Sequence, residues 1–327
     1  MALLSVQGLG VRFAGTRSVV ALDDVSFDLA PGEVLGLLGE SGSGKSVALK
    51  SLLRLHDPRA TQTTGRIVFE GSDVLAMAPE ALRRYRGGAV GMVFQDPGLA
   101  FDPVVTIGAQ IVEAVRAHEP LDRAAARQRA LEMLERVQIP QARRRLDAYP
   151  HELSGGMKQR AMIALALACR PRLLLADEPT TALDATVQMQ ILMLLRTLQH
   201  ETGLAMIFVT HDIGAAVEVA DRIAVMYGGR IVEENTTAAL VARPRHPYTA
   251  GLLAATVDGA ERGRPLTAIE GAPPDLADLP PGCAFAPRCP SALGNCRVDR
   301  PVLVRDGLHD GKHDGKHACW WPRSPAT

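Results

Sequence analysis

Aromatic residues are scarce: Phe, Trp and Tyr make up 4% of the 327 residues, against 47% apolar residues in all. A core of this composition must be built from Leu, Val, Ile, Ala and Met. Neither sign of charge is in excess, with 36 Lys plus Arg against 36 Asp plus Glu. That balance, with no basic run, gives no electrostatic reason for broad nucleic-acid binding. The first residues, MALLSVQGLGVRF, have neither the basic start nor the long apolar run of a secretory signal. No window reaches the roughly 18 apolar residues of a membrane-spanning helix. These absences predict a soluble, cytosolic chain in which thiols stay reduced. Cysteine is also rare through most of the chain. Of five cysteines only Cys169 precedes Cys283.

What is present starts with GESGSGKS, made of Gly39, Glu40, Ser41, Gly42, Ser43, Gly44, Lys45 and Ser46. It fits the G-x-x-x-x-G-K-[ST] pattern of a phosphate-binding loop. The glycines let backbone N–H groups curl around phosphate oxygens. Lys45 brings a cation to the outer phosphates, and the Ser46 hydroxyl suits Mg²⁺. The context agrees. EVLGLL (Glu33–Leu38) reads as a buried strand and SVALKSLLRL (Ser46–Leu55) as a helix whose N-terminus adds its dipole.

Downstream, RLLLADEP (Arg172–Pro179) reads as an apolar strand ending in two carboxylates. Asp177 at the tip can hold Mg²⁺, and Glu178 can accept a proton from an attacking water. LSGGMKQR (Leu153–Arg160) places Ser154, Gly155 and Gly156 at the start of a helix, a second anion site. Phosphates held by Gly39–Ser46 already have their own helix, so this second site suits those of another molecule.

These motifs, in this order, resemble the ATP-binding-cassette (ABC) ATPases. The resemblance runs over residues 1 to about 235. It implies an α/β phosphate-loop NTPase: a RecA-like core, an antiparallel β subdomain and a helical signature subdomain. It implies that Phe13 stacks on adenine and that Gln95 in MVFQDP senses metal and lytic water and faces a membrane partner. It implies that LSGGM contacts the γ-phosphate across a dimer interface. By the same resemblance TALD, ending in Asp184, joins the two active sites, and His211 in FVTHD is a switch on the γ-phosphate. The implied catalytic set is Glu178, His211, Gln95 and Lys45, with ATP as substrate and Mg²⁺ on Ser46, Gln95 and Asp177.

The segments VTIGAQIVEAVRAH (Val105–His118) and DRAAARQRALEMLERVQI (Asp122–Ile139) are rich in helix formers, and Asp122 suits an N-cap. RIAVMYGGRIVEEN (Arg222–Asn235) predicts a hairpin turning at Gly228-Gly229. From ARPRHPYTAGLL onward, and in IEGAPPDLADLPPGCAFAPRCP, the chain resembles the C-terminal extension of dipeptide, oligopeptide and nickel importer ATPases. The expected division is a nucleotide-binding domain at 1–240, with its helical subdomain at about 98–165, and an extension at 241–327. The chain departs from that subfamily at Gly98–Asp102, beside the expected permease-coupling groove. The resemblance implies a second cassette subunit, a paralogue rather than a copy. It also implies two integral-membrane permeases, an extracytoplasmic solute-binding protein indirectly, no nucleic acid, and a place on the cytoplasmic face of the membrane. The alternative is a soluble cassette ATPase acting on nucleic acid or ribosomes. A single phosphate loop and a single signature speak against it.

Cys283, Cys289, Cys296 and Cys319 follow C-x₅-C-x₆-C-x₂₂-C. A reducing compartment disfavours disulfides, and the C-x₂-C knuckles of most zinc sites are missing. Four thiolates nonetheless make a full ligand set for zinc or an iron–sulfur cluster. The subfamily resemblance favours a 4Fe–4S cluster, with zinc or no metal as alternatives. Cys169 is expected in the core of the helix after the signature. The doubled tetrapeptide HDGKHDGKH, with His309, His313 and His317, reads as a solvated loop, because its glycines disfavour a helix.

Overall fold

The computed structural model of the protein describes residues 2–181, 183–255, 268–305, 315–320 and 322. The chain divides into two compact units, one formed by Met1–Leu29, Val34–Leu75 and Val209–Thr327, the other by Ala30–Glu33 and Ala76–Phe208. The strands among the described residues are β1 (Leu4–Phe13), β2 (Val19–Leu29), β3 (Val34–Leu38), β4 (Thr61–Phe69), β5 (Ser72–Asp73), β6 (Val90–Val93), β7 (Leu173–Asp177), β8 (Ala205–Thr210), β9 (Arg222–Tyr227), β10 (Arg230–Thr236), β11 (Val304–Arg305) and β12 (Lys316–His317).

The first unit contains an antiparallel sheet in the order β2-β1-β4-β5. Along β1, Leu4, Val6, Leu9 and Val11 are buried while Gln7 and Arg12 are exposed. This alternation is that of a strand with one covered face. The unit also carries the run β11-β12-β10-β9-β3. There β3 pairs with β9 in parallel, and all five residues of β3 are buried. A strand covered on both faces reads as continuous apolar sequence, and VLGLL is such a run. The Arg222–Thr236 hairpin forms as expected. Gly228 and Gly229 both take positive φ, 56° and 78°. A two-residue turn joining right-twisted strands needs that backbone.

In the second unit β6 and β7 run parallel, with β8 next to β7. Every residue of β7 is buried. The helices Ile107–His118, Arg123–Arg136 and Gly155–Leu167 pack on one another. Ile107, Ile111 and Val115 lie inward from the first, at four-residue spacing. Asp122 caps the second helix, its Oδ1 accepting the Ala125 N–H at 2.8 Å. Inside this unit the Arg160 guanidinium donates to the Val137 carbonyl at 2.8 Å and to the Gln190 side chain at 3.2 Å. That fixes the helix that follows the signature.

Two expectations are corrected. Cys169 lies beyond the end of its helix, which stops at Leu167, and is half-buried. Its Sγ donates to the Ala114 carbonyl at 3.6 Å. Burial, with Glu119 nearby, pushes its pKa up to about 11. The other is His317. It is not part of a solvated loop but sits in β12, buried, with Val304 and Glu233 as its strand partners. His309 and His313 lie outside the described residues. Among the described residues no helix is long and apolar enough to cross a membrane.

Candidate active site

The first unit holds Phe13, the phosphate loop and His211. Gly39–Gly44 links β3 to the helix Lys45–Leu52. Gly44 sits at the helix start with φ 102°, a left-handed backbone. A Cβ there would stand 2.7 Å from the Ala21 carbonyl oxygen and 2.8 Å from Leu22 Cδ2, so only glycine fits. The Lys45 side chain is buried and curls back over the loop. Its Nζ donates to the carbonyls of Gly39 at 2.6 Å and Glu40 at 2.9 Å. The loop is thus closed around its own lysine, on carbonyls that a phosphate would replace as partner. The Gly229 N–H donates to the Ser43 carbonyl at 3.1 Å, tying the hairpin turn to the loop.

Phe13 ends β1, half-exposed, with the edge of its ring against His56 at a centroid distance of 5.3 Å. His56 had no signal in the sequence. His211 is exposed at the end of β8, and the next residue, Asp212, caps the helix Ile213–Val219 by accepting the Gly214 N–H at 2.8 Å.

The second unit holds Gln95, Ser154, Gly155, Gly156, Asp177, Glu178 and Asp184. Asp177 is the last residue of β7 and is buried. Glu178 turns out of the strand with φ 46°, a conformation that costs a non-glycine residue of order 1–3 kcal/mol. Its carboxylate Oε2 accepts from Thr181 Oγ1 at 2.9 Å and from Gln95 Nε2 at 3.3 Å. Gln95 and Glu178 are 83 residues apart in sequence, so their meeting is a product of the fold. Ser154 caps the signature helix, its Oγ accepting the Met157 N–H at 3.4 Å. Asp184 caps the helix Ala185–Thr202 through the N–H groups of Thr186 and Val187. Both residues therefore have a local structural role as helix caps. Gln95, Gly98, Gly155, Lys158 and Leu183 line one cavity of this unit, which brings the divergent Gly98 beside the signature glycine.

The C-terminal residues reach the phosphate loop inside the first unit. The Tyr248 hydroxyl accepts the Glu40 N–H at 2.8 Å. Arg288 grips the Glu40 carboxylate with both nitrogens, Nη1 to Oε2 at 2.6 Å and Nη2 to Oε1 at 3.0 Å. Burial raises the pKa of Tyr248, keeping its hydroxyl protonated. Neither contact was legible in the sequence. Cys283, Cys289, Cys296 and Cys319 line one small cavity, with His246, Phe285 and Trp320. Burial pushes the thiols of Cys283 and Cys289 up, and neighbouring cysteines add to the shift. Among the described residues no group of three or more His, Cys, Asp or Glu is placed to hold a metal ion.

A buried strand leading into a phosphate loop, a second strand ending in an Asp-Glu pair, and a capped LSGGM helix together define an ABC-type ATPase. Comparison with known proteins agrees. The family model "ABC transporter" matches residues 22–181, and that of the "Oligopeptide/dipeptide transporter, C-terminal region" matches 232–296. A "Putative peptide import ATP-binding protein" of Brucella abortus is 49% identical over 306 residues, covering 93% of this chain and 92% of its own. A "Probable peptide ABC transporter ATP-binding protein" of Sinorhizobium fredii is 49% identical over 305 residues, with coverage of 92% and 91%. Among solved structures, the dimeric cassette MJ0796 bound to ADP and Pi superposes with a TM-score of 0.64 at 29% identity, covering 72% of this chain and 98% of that one. CbiO1 of Clostridium perfringens, part of the ABC transporter complex cbiONQ, gives 0.64 at 28%, with coverage of 74% and 91%. The chain belongs to the ABC transporter family and is an ATP-hydrolysing member of it.

Proposed function

We propose that this ATPase energises the import of peptides or related solutes, nickel among them, through a pair of membrane permeases at the cytoplasmic face. The names of its relatives and the match to the oligopeptide/dipeptide transporter C-terminal region support the substrate class. The division proposed for the chain is a nucleotide-binding domain at 1–240, with its helical subdomain at about 98–165, and an extension at 241–327. A solute-binding protein delivers the cargo, and the second cassette is a paralogue.

In the proposed reaction ATP lies between the phosphate loop of one cassette and the LSGGM signature of its partner. Phe13 stacks on adenine. Lys45 leaves the Gly39 and Glu40 carbonyls for the outer phosphates, and the Ser154 helix of the partner adds its N-terminal dipole. Glu178 orients the attacking water and takes its proton, and Gln95 and Thr181 hold its carboxylate for that task. His211 contacts the γ-phosphate, and Asp184 links the two sites. Oxygen and amide donors of this kind suit Mg²⁺. Ser46, Gln95 and buried Asp177 would hold it, and it would neutralise charge between the β- and γ-phosphates. The observation that carries the assignment is the Glu178 carboxylate, held at the end of β7 by two side-chain donors. Glu178→Gln should abolish steady-state ATP hydrolysis and leave ATP binding intact. Turnover at the wild-type rate would remove Glu178 as the base.

The four tail cysteines are proposed to hold a 4Fe–4S cluster. What supports the reading is the chemistry of the donor set, four thiols lining one cavity and soft sulfur ligands suited to iron–sulfur or zinc, although the described residues place no three of them together to hold a metal ion. The protein purified without oxygen should be brown and contain iron. A colourless preparation containing zinc or no metal would overturn the assignment.

A further inference from the structure

Arg288 is the residue between the phosphate loop and the cysteine module. It immediately precedes Cys289, and its side chain is only 6% exposed. All its nitrogens are engaged. Nε donates to the Glu270 carbonyl at 2.9 Å and Nη2 to the Ile269 carbonyl at 3.2 Å. Nη1 reaches the Tyr227 hydroxyl at 3.3 Å. Both Nη atoms hold Glu40, the second residue of the phosphate loop, in the two-point grip that matches a guanidinium to a carboxylate. From the same side Tyr248 takes up the Glu40 N–H. Phe285, buried, packs its ring on Tyr227 and Tyr248 at 5.2 and 5.4 Å and holds both tyrosines in place.

The consequences for an anionic ligand are direct. A loop that must cradle phosphates carries a carboxylate in its own sequence. Unpaired, Glu40 would repel the incoming phosphates and could swing toward Lys45. Paired with Arg288 it is neutralised and turned away, and its backbone is pinned at both the carboxylate and the N–H. The Glu40 carbonyl that accepts from Lys45 belongs to the same residue, so the brace also sets where the lysine rests.

We propose that the C-terminal module is a brace on the phosphate loop, in which Arg288, acting through Glu40 and helped by Tyr248, sets the affinity for ATP. Arg288 and Tyr248 are positioning residues. The proposal rests on ATP binding at Gly39–Ser46 and is independent of whether the cysteines hold a metal.

The test is a double-mutant cycle on the full-length protein, read by equilibrium ATP binding, the KM and kcat of hydrolysis, and amide hydrogen exchange across Gly39–Ser46. Arg288→Gln should raise the Kd and KM for ATP about tenfold, the weight of one charge-assisted hydrogen bond, with kcat changed less than about twofold. Exchange in the loop should quicken. Arg288→Lys, which keeps the charge but loses the fork, should recover part of the affinity. In a Glu40→Gln background, Arg288→Gln should change the Kd by less than about twofold. An unchanged Kd in the first comparison would overturn the proposal, and so would an equal shift in both backgrounds. If Arg288→Gln does not fold, Tyr248→Phe and Glu40→Gln test the brace from its other partners. Loop exchange unaltered by either would sink it, whether or not the wild type binds ATP as read above.

Discussion

Phe285→Ala is the perturbation whose size follows most directly from the structure. Phe285 is 2% exposed and stands among Tyr227, Tyr248 and His246, with ring centroids at 5.2, 5.4 and 5.8 Å. Truncating a buried phenylalanine costs about 3–5 kcal/mol, and lost aromatic pairs add about 0.5–1.5 kcal/mol beyond buried area. The ring also lines the cysteine cavity, so its surroundings can relax partly into existing space. That places the expected loss near the lower end, about 3 kcal/mol. For a chain of 327 residues it corresponds to a fall in Tm of about 4 °C. Urea unfolding followed by circular dichroism reads the first number and calorimetry the second. Phe285→Leu, which keeps most of the volume, should cost less than about 1.5 kcal/mol. A loss below about 1 kcal/mol for Phe285→Ala would refute the claim that this ring joins the C-terminal module to the phosphate-loop unit.

Gly44→Ala should lose ATP binding while the rest of the chain stays folded, because the new Cβ collides with Ala21 and Leu22 at the loop; binding assays and circular dichroism check the two halves. A second test concerns pH. Burial, with His317 nearby, pushes the His246 pKa down from 6.5 to about 3. The native ring stays neutral while the unfolded ring takes up a proton, so stability is full above pH 6.5 and falls as pH drops toward 3. The slope from this group is at most about 1.4 kcal/mol per pH unit. Glu233, whose pKa burial raises, acts in the opposite sense, its contribution to stability falling as pH rises. His246→Asn keeps an acceptor for the Tyr248 N–H and leaves Glu233 in place. Urea midpoints between pH 7 and 5 should therefore fall less in His246→Asn than in the wild type, and equal falls would exclude His246 as the cause.

The parts of the site that were legible in the sequence are those made locally. Gly39–Ser46 is a contiguous run whose chemistry needs its own backbone. The buried strands β3 and β7 are continuous apolar runs. The Gly228-Gly229 turn and the caps at Asp122 and Ser154 depend on neighbours a few residues away. The unreadable parts join distant positions. Arg288 and Glu40 are 248 residues apart, and neither CAFAPRC nor GESGSGKS contains a sign of the other. His317 looked solvated because Gly311 and Gly315 precede it, yet β10 supplies a strand edge on which Lys316 and His317 pair. Cys169 was placed in a helix that in fact stops at Leu167; Arg170, three residues later, takes positive φ and ends the turn. For Arg288 and His317 the tertiary partner, not local preference, decided the outcome.

The most direct measurement is uptake of a labelled peptide into proteoliposomes. These would carry this chain, its partner cassette and their permeases, with ATP inside the lumen that faces the cassettes and the solute-binding protein on the other side. The account predicts peptide transport that requires ATP and stops when this subunit carries Glu178→Gln. Uptake that proceeds undiminished with Glu178→Gln, or ATP hydrolysis by the assembled complex that no peptide stimulates, would contradict it.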